Sequence, residues 1–426
     1  MKQALIKQTK KISGSIEAPS SKSYTHRAVI AASLVNRKSR IKNPLFCDDV
    51  HATINACEVM GASIEKEKDE LTINGTLDLK APSEAIDCKE SASTIRFMTP
   101  IAALASDITT LTGSEQLKKR PIEPLMLALR QLKVECISNN GYPPVTVTGG
   151  GIEGGEAHIR GDISSQFITG LLLACPQARK KTNILLTTDL ESQPYVKLTL
   201  EVLKKHNIKV QTSEDLKKYS IPNLQEYQPS DHWVPGDFSS ATFLLVAAII
   251  TRSSVTVRNL RQEEWMPDHR IVNILEEMNI KVETGEDSIK VMGGDLRGTG
   301  IDAVNIPDFI PVCAALACYA EGETRIYNAG RLRVKESDRL DNTYSQLKRM
   351  GGKIIQEKEG LIIKGPSKMH GAVINPHRDH RIAMACAIAA LGAEGETKIL
   401  EADCVNKSYP NFFKDLQSLG AELIVR

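Results

Sequence analysis

Basic side chains stand where helices should begin. Lys22, Arg27, Arg96, Arg120, Lys335, Arg339, Arg381 and Lys407 each lie at or within about one turn of a helix start. Their neighbours are the Ser, Asp and Pro letters that cap or open helices, as in Pro19-Ser20-Ser21, Asp162-Ile163-Ser164-Ser165, Asp237-Phe238-Ser239-Ser240, Ser192-Gln193-Pro194 and Asp379-His380. The positive end of a helix dipole repels Lys and Arg by roughly 0.3–1 kcal/mol each. A bound anion reverses that cost, because the same end offers unpaired backbone N–H groups. The pattern implies a binding cleft for small, multiply charged anions carrying phosphate or carboxylate. The acids and serines say less. Capping alone accounts for Asp162, Asp237 and Asp308, and for the paired serines. The sequence holds no Cys-His or Ser-His-Asp order, no metal-ligand spacing and no Walker or dinucleotide fingerprint.

The elements that must position these residues repeat. Six segments close a helical pattern with a bulky residue followed by Gly, Asn or Lys: Met60-Gly61, Leu132-Lys133, His206-Asn207, Met278-Asn279, Met350-Gly351 and Leu419-Gly420. His206 is the exception at the first place. The second residues are spaced 72, 74, 72, 72 and 69 apart. A second series on short β-like runs agrees: Ile41, Leu111, Leu185, Val257, Ile326 and Ile399. The 426 residues therefore divide into six units of about 71. Each reads β-α-β-α-β-β, with a strand such as 303–306 followed by a helix rich in small apolar residues (28–35, 97–105, 167–174, 241–250, 312–320, 382–391). Hairpin-like endings recur at 71–74, 145–148, 289–292 and 361–364. A unit this small cannot bury its own sheet well, and a helix without a polar face belongs in the centre of an assembly. Two groups of three units follow, with the irregular stretch 211–233 as the crossover. The expected lobes are 1–19 with 236–426, and 20–235, with the site in the cleft between them.

Composition narrows the class of function. A net charge of +2 and 4% aromatic residues argue against a nucleic-acid surface. Apolar runs such as 242–250 fall far short of the roughly 18 residues that cross a bilayer. The basic N-terminus is followed by no apolar core, so a signal peptide is not expected. Nine scattered cysteines without a Cys-x-x-Cys pair suit reduced thiols, and a cytoplasmic protein is expected.

At the same helix starts the chain resembles the 5-enolpyruvylshikimate-3-phosphate synthases of the enolpyruvyl transferase family. The likeness runs from Pro19 to Pro410. It rests on Ser21-Lys22-Ser23-x-Thr25-x-Arg27, Ser164-Ser165-Gln166-Phe167, Ser192-x-Pro194-Tyr195, Gly236-Asp237-x-Ser239-Ser240-Ala241, Leu332-Arg333-x-Lys335-Glu336-Ser337-Asp338-Arg339, Asp379-His380-Arg381-Ile382-Ala383-Met384 and Lys407-Ser408-Tyr409-Pro410. The resemblance implies a two-domain inside-out α/β barrel, each domain three copies of a β-α-β-α-β-β unit. It also implies transfer of the enolpyruvyl group of phosphoenolpyruvate to shikimate 3-phosphate on the way to chorismate and the aromatic amino acids, with neither metal nor organic cofactor. Small-molecule substrates, no nucleic-acid or membrane partner and a monomer are expected.

Site roles follow from the same resemblance. Ser23 and Arg27 would hold the shikimate carboxylate, and Ser164, Ser165 and Ser192 its phosphate. Tyr195 would pack on the ring, and Gln166 would sit between the substrates. Lys22, Arg120, Arg339, Arg381 and Lys407 would clamp phosphoenolpyruvate, while Asp308 and Lys335 would bind the shikimate hydroxyls and Lys22 would also contact shikimate 3-phosphate at the reacting hydroxyl. Asp308, Glu336 and Lys22 are the expected catalytic groups. Ala92 stands where the family has Gly beside phosphoenolpyruvate, which implies a narrowed site and weaker glyphosate inhibition. The nearest rival activity, enolpyruvyl transfer to UDP-N-acetylglucosamine, usually needs a cysteine in the loop before Arg120, and residues 112–121 contain none.

Overall fold

A computed structural model describes residues 2–261, 263 and 265–426. The chain forms two compact units, Ser20–Val234 and Met1–Pro19 with Pro235–Arg426. Each is built on three four-stranded sheets of one design. In the Ser20–Val234 unit the sheets, in spatial order, are His232–Trp233, Lys38–Lys42, Glu70–Asn74, Ser63–Lys66; then Ile86–Asp87, Thr109–Thr112, Tyr142–Val147, Cys136–Asn139; then Gly155–Ile159, Thr182–Leu186, Lys218–Ile221, Gln211–Thr212. The first pair in each is parallel and the rest antiparallel.

The other unit repeats the plan with two strands borrowed from the N-terminus. Ser13–Glu17 lies parallel to Ser254–Arg258, opening the fourth copy. Ala4–Lys7 pairs antiparallel with both Glu396–Ile399 and Leu423–Val425, and so fills the third position in the sheet of the sixth. His232–Trp233 likewise opens the first copy, parallel to Lys38–Lys42. The stretch 211–233 is thus not simply a crossover. It holds the hairpin of the third copy and the opening strand of the first.

Twelve α-helices among the described residues alternate in type. The odd-numbered ones are α1 (Lys22–Ser33), α3 (Ala92–Ala102), α5 (Ser165–Ala174), α7 (Phe238–Ile250), α9 (Ile310–Ala317) and α11 (His380–Gly392). Every residue of α7 and α9 is buried, and all of α11 but its last. A helix buried on all sides needs apolar residues on all sides, and each fully buried Leu, Ile or Phe contributes about 1.5–3 kcal/mol. The even-numbered helices are α2 (Asp48–Val59), α4 (Glu123–Gln131), α6 (Gln193–Lys205), α8 (Ile271–Glu277), α10 (Arg339–Arg349) and α12 (Phe412–Ser418). These end at the repeated pairs. Gly61, Lys133, Asn207, Asn279, Gly351 and Gly420 all have positive φ, between 60° and 112°. The next N–H reaches back to the helix, as Ala62 does to the Cys57 carbonyl and Val134 to that of Leu129. This is the Schellman closure, which selects Gly or Asn because other residues resist left-handed backbone.

Two readings shift by a step. Residues 303–306 form a turn, in which Val304 N–H donates to Asp302 Oδ1, and the strand is Gly300–Asp302. Ile184 rather than Leu185 occupies the core position of the third copy, being fully buried where Leu185 is not.

Candidate active site

In the Ser20–Val234 unit, the Ser21 hydroxyl caps α1 by accepting from Tyr24 N–H, which places Lys22 and Ser23 on its first turn. Lys22 Nζ meets Asp49 Oδ2 at 2.7 Å, with Asp49 on the opening turn of α2 and 4% exposed. Arg27 is buried and spends four of its five N–H groups on neutral oxygens. Nε donates to Thr199 Oγ1 at 2.8 Å, Nη1 to the Ser23 carbonyl at 2.8 Å, and Nη2 to Thr169 Oγ1 and the Tyr195 carbonyl at 3.2 and 3.1 Å. Burial pulls its pKa down to about 9. A buried guanidinium among neutral oxygens favours an incoming carboxylate.

Arg96 gathers a second group. Its Nη1 donates to Gln166 Oε1 at 2.9 Å and Ser164 Oγ at 3.2 Å, and its Nη2 to the carbonyl of Pro121, the residue after Arg120, at 3.0 Å. Gln166 Nε2 in turn donates to Ser93 Oγ at 2.9 Å. The approach of α5 to α3 depends on Gly170, where a Cβ would lie 2.4 Å from the Arg96 carbonyl. Ser164 caps α5, with Ser165 as its first residue. Ser192, at φ 57°, precedes α6, whose first turn carries Tyr195. Ala92 is the buried first residue of α3, and Arg120 ends the 3-10 turn Leu117–Lys119.

In the other unit Arg339, 1% exposed at the start of α10, is the centre of an acidic triad. Nε donates to Asp379 Oδ2 at 3.0 Å, Nη1 to Asp308 Oδ1 at 3.0 Å, and Nη2 to Asp379 Oδ1 at 3.3 Å and to Glu336 Oε2. Burial opposes its charge, but the three carboxylates outweigh burial and raise its pKa. For Asp308, burial pushes the carboxyl up, yet Lys335, Arg381 and Arg339 hold it far below the usual range. Lys335 Nζ lies 3.8 Å from Asp308, and burial brings its pKa down to about 7 against the opposing pull of that carboxylate. Arg381 is 4% exposed, and its Nη2 is 3.9 Å from Asp308 Oδ2. Its Nε and Nη1 have no hydrogen-bond partner among the described residues. Lys407, also buried, closes the 3-10 helix Ala402–Lys407.

Capping explains only one of the three aspartates. Asp237 accepts from Ser240 N–H, but Asp162 pairs with Arg160 and Asp308 with Arg339, while the cap position of α9 is Phe309, which makes no side-chain cap. The repulsion expected for Arg339 and Arg381 at helix starts is met partly by the protein's own carboxylates. Asp49, Arg96 and Asp379 take part as well, beyond the roles that the resemblance implies. Asp379 stands in the Asp-His-Arg run and Arg96 among the helix-start bases, while Asp49 carries no signal beyond the acidic opening of α2. Among the described residues no three His, Cys, Asp or Glu side chains come together in a way that could hold a metal ion.

The family model described as EPSP synthase (3-phosphoshikimate 1-carboxyvinyltransferase) matches residues 6–416. The chain belongs to the EPSP synthase family. It is 42% identical to a 3-phosphoshikimate 1-carboxyvinyltransferase of Methanocaldococcus jannaschii and 40% identical to one of Methanococcus maripaludis, with 99% of each chain covered. Its structure resembles the EPSP synthase of Acinetobacter baumannii, with a TM-score of 0.85, 28% identity and 100% of both chains covered. The enolpyruvyl transferase NikO of Streptomyces tendae shares the fold, at a TM-score of 0.82 and 18% identity over 100% of this chain and 99% of that one. The family accounts for the inside-out α/β architecture of the sheets and buried helices.

Proposed function

We propose that this chain catalyses the 3-phosphoshikimate 1-carboxyvinyltransferase reaction of the shikimate pathway. The enolpyruvyl group of phosphoenolpyruvate passes to the 5-hydroxyl of shikimate 3-phosphate, and phosphate is released. Arg381 carries the reading: a buried guanidinium with two unused donor nitrogens is completed by an anion with two acceptor oxygens. Arg381, Arg339, Arg120, Lys407 and Lys22 bind the carboxylate and phosphate of phosphoenolpyruvate, next to Ala92 and Gln166. Ser23 and Arg27 bind the shikimate carboxylate, Ser164, Ser165 and Ser192 its phosphate, and Asp308 and Lys335 its hydroxyls, with Tyr195 on the ring and Gln166 beside it.

In this mechanism Glu336, which first takes up a proton in place of its ion pair with Arg339, delivers that proton to the methylene carbon as the 5-hydroxyl oxygen bonds to the neighbouring carbon. Asp308 takes the hydroxyl proton. Because cations keep Asp308 ionised, it accepts that proton only as the C–O bond forms and acidifies the hydroxyl. The resulting tetrahedral adduct loses phosphate, which leaves with the proton relayed through Lys22. Glu336 recovers a methyl proton and the enol ether forms, so every group returns to its starting state. The arginines stabilise the leaving dianion.

Phosphate release with both substrates, and with each omitted, tests the proposal. Release that needs shikimate 3-phosphate supports it, and release that needs UDP-N-acetylglucosamine would replace it with the rival activity. We read the chain further as a cytoplasmic monomer without nucleic-acid or membrane partners; no helix among the described residues is long and apolar enough to cross a membrane. Glyphosate is expected to bind more tightly to Ala92→Gly.

A further inference from the structure

His206 breaks the repeat at the first position of its pair, and its ring explains the break. The other five copies carry Met or Leu there. His206 is fully buried at the end of α6, and its Nδ1 lies 2.7 Å from the Gln228 carbonyl. Its Nε2 lies 2.9 Å from Nε2 of His232, and His232 Nδ1 lies 3.1 Å from the Tyr24 hydroxyl. All three side chains are at most 1% exposed.

The geometry allows one direction of donation. The Gln228 carbonyl can only accept, so His206 Nδ1 carries the hydrogen. Burial keeps the imidazoles neutral, with pKa values lowered to about 4 for His206 and about 3 for His232. His206 Nε2 is then an acceptor, His232 Nε2–H donates to it, and His232 Nδ1 accepts from the Tyr24 O–H. The chain runs from the first turn of α1 through the strand His232–Trp233 to the end of α6. Tyr24 stands beside Ser23, and Arg27, one turn on, donates to the Ser23 carbonyl.

We propose that the Tyr24–His232–His206 chain is a positioning device that fixes the opening turn of α1, and with it Ser23, for binding of shikimate 3-phosphate. Tyr24, His232 and His206 are positioning residues in this role, which rests on the transferase reading above. The chain ties α1 to two elements at once, and it is directional because each ring has a single hydrogen to place.

The test separates the links of the chain in the full-length protein. Tyr24→Phe removes the donor and should raise KM for shikimate 3-phosphate about three- to tenfold with kcat within about twofold, the signature of lost positioning in substrate binding. His232→Asn keeps an acceptor for Tyr24 and should stay near the parent KM. His232→Gln keeps a donor toward His206 but loses the acceptor, and should match Tyr24→Phe. Nitrogen-15 NMR of the imidazoles should find the Nδ1–H tautomer at His206 and the Nε2–H tautomer at His232. Equal KM values for Asn and Gln, an unchanged KM in Tyr24→Phe, or the opposite tautomers would each overturn the proposal. Failure of the parent protein to turn over shikimate 3-phosphate would refute the transferase reading alone, since the tautomers are read without substrate.

Discussion

Asp379 holds Arg339 and starts a helix with the same carboxylate. It accepts from Arg339 Nε and Nη2 and also from Arg381 N–H at 2.9 Å, capping α11 while itself fully buried. The two duties separate by substitution. Asp379→Asn keeps an oxygen for the cap but withdraws the charge from a sealed ion pair, a loss of about 3–5 kcal/mol. Asp379→Ala also removes the cap and should cost about 1 kcal/mol more. Urea denaturation of the two variants checks the order, and equal midpoints would show that the cap contributes nothing.

Arg96 orients Gln166, and the variant that tests this keeps the charge. Lys has no planar fork and cannot reach Gln166, Ser164 and the Pro121 carbonyl together. Arg96→Lys should raise KM for shikimate 3-phosphate about 10-fold or more, in line with roughly 1.4 kcal/mol per decade for a lost charge-assisted contact. Steady-state kinetics decide it; an unchanged KM would remove Arg96 from the binding machinery.

The buried histidines predict acid sensitivity. In the unfolded chain an imidazole titrates near 6.5, while His206 and His232 titrate near 4 and 3 in the fold. Between these values the unfolded chain holds more protons. Their stabilisation is therefore complete above about pH 6.5 and falls as pH drops, by up to roughly 1.4 kcal/mol per unit for each histidine, until the folded values are reached. Lys205 lowers both values slightly further, and the Tyr24 and Tyr227 rings beside them are neutral here. Urea midpoints between pH 7 and 4.5 should fall, and the fall should shrink in a His206→Gln, His232→Gln double variant.

The repeat was legible because it is written in backbone terms. Gly61, Asn207 or Gly351 must adopt positive φ, and few residue types can, so helix ends announce themselves. Small apolar helices announced burial in the same way. What stayed hidden depends on partners far along the chain. Nothing near Asp49 names Lys22, and nothing near Arg96 names Gln166, 70 residues away. Asp308 looked like a cap because its copies at Asp162 and Asp237 share its place, yet only Asp237 caps. Leu185 is indistinguishable in sequence from its apolar neighbour Ile184, although one register step exchanges the two faces of a strand.

That corrected register exposes a repeated flaw and its remedy. Two residues before Leu111, Ile184, Ile326 and Ile399 stand Thr109, Thr182, Thr324 and Thr397, all fully buried or nearly so. The hydroxyls of Thr109, Thr324 and Thr397 have no hydrogen-bond partner among the described residues, whereas that of Thr182 meets the Cys175 thiol. The fourth copy has Val255 at that place, which has the same shape without the hydroxyl. An unpaired buried hydroxyl costs about 1–3 kcal/mol. Thr→Val at positions 109, 324 and 397 should therefore raise stability by roughly 0.5–2 kcal/mol, and the gains should add because the three lie on separate sheets. The first copy supplies the control. Ser39 stands at the same place but accepts from Ser230 N–H at 3.2 Å, so Ser39→Val should destabilise by leaving that donor unpaired. Urea midpoints that move in the same direction for Thr324→Val and Ser39→Val would contradict the hydroxyl argument.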